Sequence, residues 1–109
     1  MLFLGDLKED GSAVVCGMYG KDIASDFVQV SHHGWDGATV ALYQNVGAKF
    51  VFWPGSANEF KSQYYASGIT GTVSKYLQDR SPAKIFWNAS KTNTMKLPYK
   101  LGDKYETSA

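Results

Sequence analysis

Phe27-Val28-Gln29-Val30-Ser31-His32-His33-Gly34 is the stretch on which the fold of this chain turns. Its first four residues are largely β-branched and aromatic. With Asp26 before them and a His-His-Gly turn after them, they have the makings of a strand. Downstream, Thr39 to Val46 places Val40, Ala41, Leu42 and Val46 at helical spacing, and Gly47 is a natural stop. Lys49-Phe50-Val51-Phe52-Trp53 then reads as a strand ended by Pro54-Gly55, because proline cannot continue a central ladder. Strand, helix, strand with short links is a βαβ unit, which implies parallel pairing and a right-handed crossover. The expected class is therefore α/β.

Working outward from this unit, Leu2-Phe3-Leu4 is a short apolar run closed by Gly5, the pattern of a strand buried on both faces, with Asp6 just past its end. Ser12 to Met18 has the composition of a short helix, although Gly11, Gly17 and Gly20 work against it. Ser56 to Tyr65 and Gly71 to Asp79 read as two more helices, the second with Val73, Tyr76 and Leu77 on one face. Lys84 to Trp87 is a fourth strand, and Trp53 and Trp87 belong to the core. Thr92 to Leu97 alternates polar and apolar residues as an edge strand does, and Ser90, Lys91 and Thr92 make a polar turn before it. Asp103 to Ala109 has the character of a loose polar tail. No repeat or linker divides the chain, so one α/β unit is expected.

Composition narrows the function classes. The chain has 109 residues, 44% hydrophobic and 15% aromatic, ample material for one core and far from the signature of disorder. A formal charge of +1 with no basic run argues against a nucleic-acid groove. Cys16 is the single cysteine, so no internal disulfide is available and a small buried hydrophobe is expected. Met1 to Leu4 is too short for a signal peptide or a membrane span, and the compartment is not encoded in what is present.

The chemistry-bearing residues gather at strand ends. In open α/β sheets ligands collect in the crevice beyond the carboxyl ends of the strands, which is where His32-His33-Gly34 and Asp6 both fall. A carboxylate and an imidazole suit zinc, manganese or iron. Asp6 reads equally well as a loop or helix cap. His32 and His33 are the only histidines, and adjacent side chains leave a strand end in different directions, so both do not bind one metal. Trp35, Asp36, Tyr64 and Tyr65 have the amphipathic character to line a pocket, against the plainer reading of packing or ordinary exposure.

Leu2-Phe3-Leu4-Gly5-Asp6, Phe27 to Gly34 and the strand through Trp53-Pro54 together resemble the later half of the metallo-β-lactamase superfamily. The likeness is greatest to the branch containing the hydrolase-like domain of competence DNA-uptake proteins. It implies half of an αββα sandwich over residues 1–102: one mixed sheet with helices on its outer face, and 103–109 as a tail. It also implies that Asp6 bridges two metal ions, zinc foremost, that His32 ligates one of them, and that His33 acts in proton transfer or supports a ligand. The activity implied is hydrolysis of an ester, amide or phosphodiester by metal-bound hydroxide.

Two departures limit that carry-over. The family's His-x-His-x-Asp-His motif is absent, so the metal site of this chain alone is incomplete. Asn58-Glu59-Phe60-Lys61 lacks the histidine common in the competence branch, which speaks against a nuclease role. A non-catalytic binding or assembly module that keeps the fold is the competing expectation. Either way one sheet face is left bare, from which a homodimer, or pairing with the absent N-terminal half, is expected.

Overall fold

The computed structural model describes residues 1–80 and 84–87. Strands β1 (Leu2–Phe3), β2 (Phe27–Gln29), β3 (Phe50–Trp53) and β4 (Lys84–Trp87) form one sheet in the order β1-β2-β3-β4. Every pairing among them is parallel, with Leu2 opposite Val28, Val28 opposite Val51 and Val51 opposite Ile85. The α/β class is thus observed, whereas the described strands are uniformly parallel and not mixed. The edge strand expected at Thr92–Leu97 and the tail at 103–109 lie outside the described residues, as does the side chain of Trp87.

Helices α1 (Glu9–Tyr19), α2 (Val40–Val46), α3 (Ala57–Tyr64) and α4 (Gly68–Lys75) fill the crossovers, and a π-helical turn, Tyr76–Arg80, follows α4. A sheet wound in one direction with crossovers of one hand carries every helix to the same side. The core follows that rule: Val28, Val30, Val51 and Trp53 point into one cluster with Leu42, Tyr43, Val46, Phe60, Val73 and Leu77. Each such side chain contributes about 1.5–3 kcal/mol by leaving water. On the opposite side the rings of Phe27 and Phe50 stack at 5.1 Å.

That arrangement corrects the reading of β1. Leu2 is half-buried against the core, but Phe3, which points to the opposite side, is 69% exposed because β1 stands at the end of the strand order; Phe27 and Phe50, on that same side of the inner strands, are buried. Cys16 is likewise half-buried against the core, where full burial was expected.

Local signals account for the helix limits. Thr39 caps α2, its hydroxyl accepting from the Leu42 N–H at 3.3 Å, and Gly47 ends it in the left-handed region at φ 56°. Ser56 and Glu59 form a reciprocal capping box at the start of α3. α1 begins three residues before the expected Ser12, because Glu9 and Asp10 favour the positive end of the helix dipole. Gly11 lies inside α1 and is covered by Leu7, whose Cδ1 would be 2.4 Å from an added Cβ. Ser12 is fully buried: its hydroxyl donates to the Lys8 carbonyl at 2.9 Å and accepts the Thr39 N–H at 3.2 Å, tying α1 to α2. No helix among the described residues is long and apolar enough to cross a membrane.

Candidate functional site

Because β1, β2 and β3 run parallel, their carboxyl ends open on one edge of the sheet, and three loops meet there. Gly5-Asp6 follows β1, Ser31 to Trp35 follows β2, and Pro54 to Ser56 follows β3. The first two are joined directly: the His32 N–H donates to the Gly5 carbonyl at 2.8 Å, and the Gly5 N–H donates to Gln29 Oε1 at 3.2 Å. Ser31 anchors the same loop from beneath. Its N–H donates to the Tyr43 hydroxyl at 3.0 Å and its own hydroxyl donates to the Leu7 carbonyl. Burial pushes the Tyr43 hydroxyl up to about 12, against the lowering effect of the Ser31 N–H. The phenol therefore remains a neutral acceptor.

His32 and His33 both adopt left-handed backbone, at φ 50° and φ 57°, as does Asp36 at φ 43°. Three non-glycine residues in that region within one loop cost on the order of 1–2 kcal/mol each, which the surrounding hydrogen bonds must offset. The turn they make separates the rings, whose centroids are 6.4 Å apart and whose planes are tilted by 48°. The expected divergence of the adjacent side chains is what this geometry produces.

The ring nitrogens carry more information than the positions do. His32 Nδ1 meets the Trp35 carbonyl, and His33 Nδ1 meets the Pro54 carbonyl at 3.1 Å. A carbonyl only accepts, so Nδ1 must hold the proton in each neutral ring, leaving Nε2 with a lone pair. That is the tautomer a histidine needs to bind a cation or take a proton through Nε2. His32 is half-buried, whereas His33 is exposed.

Gln63 holds the arrangement and is the residue that sequence reasoning missed. Fully buried on α3, it donates from Nε2 to the His33 carbonyl at 2.9 Å and accepts from the Trp53 indole N–H at 2.8 Å. It thereby bridges the β2 loop to the end of β3. A faint signal was present, since Gln63 lies three residues after Phe60 and so shares its inward face. Phe60 packs edge-on to Trp53 at 4.9 Å. Gly34, at φ 90°, passes so close to this bridge that a Cβ there would lie 2.5 Å from Gln63 Oε1 and 2.6 Å from Trp53 Nε1. The glycine of His-His-Gly is required by the packing.

Glu59, in the capping box that follows β3, is a further carboxylate at this edge of the sheet. The Ser56 backbone N–H holds its carboxyl below the ordinary value, outweighing partial desolvation, and the Trp35 indole, the Ser56 hydroxyl and the charge of His33 act in the same direction. In the sequence Glu59 stood out only as part of a loop that lacks histidine. Trp35, 37% exposed, and Asp36 follow the histidines in the same loop, and the Asp36 N–H donates to the Thr70 hydroxyl on α4 at 2.8 Å. Tyr64 and Tyr65 are not brought to the histidines. With Lys61 and Gln78 they line a shallow cleft of about 260 Å³ of their own, with Tyr65 82% exposed.

Asp6 is exposed, beside the Gly5 carbonyl that His32 uses. Among the described residues no group of three His, Cys, Asp or Glu is placed to hold a metal ion. A catalytic zinc takes about three protein donors plus water, so Asp6 and His32 together fall short of one. No family model matches the chain, and neither a curated protein nor a solved structure matches it.

Proposed function

We propose that this chain contributes part of the active site of a metallo-β-lactamase-like, metal-dependent hydrolase acting on an ester, amide or phosphodiester. In this reading Asp6 and His32 are metal donors, and His33 moves a proton through its free Nε2. The observation that carries it is the hydrogen bond from the His32 N–H to the Gly5 carbonyl, at 2.8 Å, together with the Nδ1-protonated tautomer set by the Trp35 carbonyl. The first joins the two candidate donor loops at the carboxyl edge of a parallel sheet, and the second leaves Nε2 of His32 available. Because two donors do not complete a centre, the remaining ligands come from outside the described residues, and this chain alone is a poor hydrolase.

A zinc titration followed by nitrogen-15 spectra of the histidine rings tests the assignment. Weak binding is expected, with the His32 Nε2 resonance moving, His33 moving less, and Asp6→Asn weakening the response. Tight one-to-one binding would refute the partial site. No response at His32 would remove its ligand role and favour a non-catalytic binding module.

The same reading assigns a partner. Phe3, 69% exposed on the side of the sheet opposite the helices, is the place where a second copy or the complementary half of the domain packs. Light scattering at rising concentration should show self-association that Phe3→Asp diminishes. A monomer at all concentrations counts against the second copy.

A further inference from the structure

Away from the histidine loop, an open-mouthed cavity of about 540 Å³ lies between α2 and α4. It shares no lining residue with the candidate site. α2 contributes Val40 and Gln44, the link between α3 and α4 contributes Ser67, and α4 with the turn after it contributes Thr72, Lys75 and Tyr76. A cavity of this volume falls within the range of pockets that hold small molecules, and its walls combine apolar and polar surface as such pockets do.

Among the described residues its charge has one sign: no aspartate or glutamate lines it, and Lys75 is the one ionised side chain there. Lys75 forms no ion pair among the described residues; its ammonium lies 5.8 Å from the centroid of the Tyr64 ring. That ring is fixed in turn, because the Tyr64 hydroxyl donates to Asp79. A cation held over an aromatic face loses less freedom when it engages an anion than a freely moving lysine does. The amide of Gln44 adds hydrogen-bonding capacity beside it, while Val40 and the Tyr76 ring offer apolar surface.

We infer that this cavity is a binding site for a small organic anion with a compact apolar or aromatic body, its carboxylate or phosphate paired with Lys75. The two anion sources share the chemistry of charge pairing and are separated by experiment. The backbone amides of the whole chain are followed during titration with sodium benzoate, sodium phenyl phosphate and the uncharged benzyl alcohol.

Saturable shifts confined to Gln44, Ser67, Thr72 and Tyr76 are expected with at least one anion, and the tighter of the two identifies carboxylate or phosphate. Benzyl alcohol should bind at least about tenfold more weakly, as should the preferred anion to Lys75→Gln, since a charge-assisted hydrogen bond is lost in either case. Thr72→Glu, a second change at an exposed position, sets a carboxylate in the cavity and should also abolish anion binding. The inference is overturned if neither anion gives saturable shifts at these residues. It is equally overturned if the alcohol binds as well as the anions, or if both variants keep wild-type affinity.

Discussion

Replacing Gly34 by alanine tests the account of the histidine loop most directly. An alanine at φ 90° pays the cost of a backbone region that L residues avoid, about 1–2 kcal/mol. Its Cβ would also sit 2.5 Å from Gln63 Oε1 and 2.6 Å from Trp53 Nε1, so the Gln63 amide must move. Gln63 cannot move without loosening the 2.8 Å bond from Trp53 and the 2.9 Å bond to the His33 carbonyl. A buried polar group left unpaired costs about 1–3 kcal/mol, which brings the expected loss to about 2–5 kcal/mol. Against the 5–15 kcal/mol typical of a folded domain, that is a large share. Urea unfolding followed by tryptophan fluorescence measures it, Trp53 being a buried reporter.

Gly17→Ala supplies the control. Gly17 lies in α1 with nothing near an added Cβ, so the same chemical change there should stabilise by about 0.5–1 kcal/mol. If Gly34→Ala lost less than about 1 kcal/mol, the clamp formed by Gln63 would not have the role given to it. Adding Gln63→Ala removes the group that an alanine at position 34 strikes. The two losses should therefore fall well short of additivity.

Other perturbations probe neighbouring parts of the same frame. Thr39→Ala deletes the α2 cap and should cost about 1 kcal/mol in the same unfolding assay, with Thr39→Ser close to wild type. Tyr43 has a folded-state pKa raised from 10.0 to about 12, so its contribution is complete below pH 10 and is lost as pH rises toward 12. Phenolate absorbance should show a tyrosine titrating near pH 12, and Tyr43→Phe should remove that phase while costing about 1–3 kcal/mol by orphaning the Ser31 N–H. Glu59 has a lowered folded-state pKa, so the stability it adds is present above the ordinary carboxylate pKa and is lost as pH falls through the lowered value. Unfolding measured across the acid range should therefore flatten in Glu59→Gln, and an unchanged slope would remove the capping box from the explanation.

Much of this architecture was legible without coordinates, for reasons that are local. The β-branched and aromatic runs at Phe27–Gln29 and Phe50–Trp53, the capping threonine at 39 and the stops at Gly47 and Pro54 act through neighbouring residues, so the βαβ unit could be read from them. The parallel sheet came from the short helical links. Asp6, His32 and His33 were placed at strand ends by the same logic, since a strand that stops at a turn delivers its next residues to the carboxyl edge.

What the tertiary structure alone decided is non-local. Gln63 reaches a carbonyl 30 positions away, and nothing in a helix sequence marks a glutamine for burial beyond its spacing from Phe60. The histidine tautomers depend on where the carbonyls of Trp35 and Pro54 come to rest. Phe3 seemed a buried residue because three apolar neighbours look alike wherever a strand stands in a sheet; only the strand order, which puts β1 at its end, left it exposed while Phe27 and Phe50 on the same side are buried. Periodicity sets which residues share a face, and the packing of the whole chain sets what that face meets.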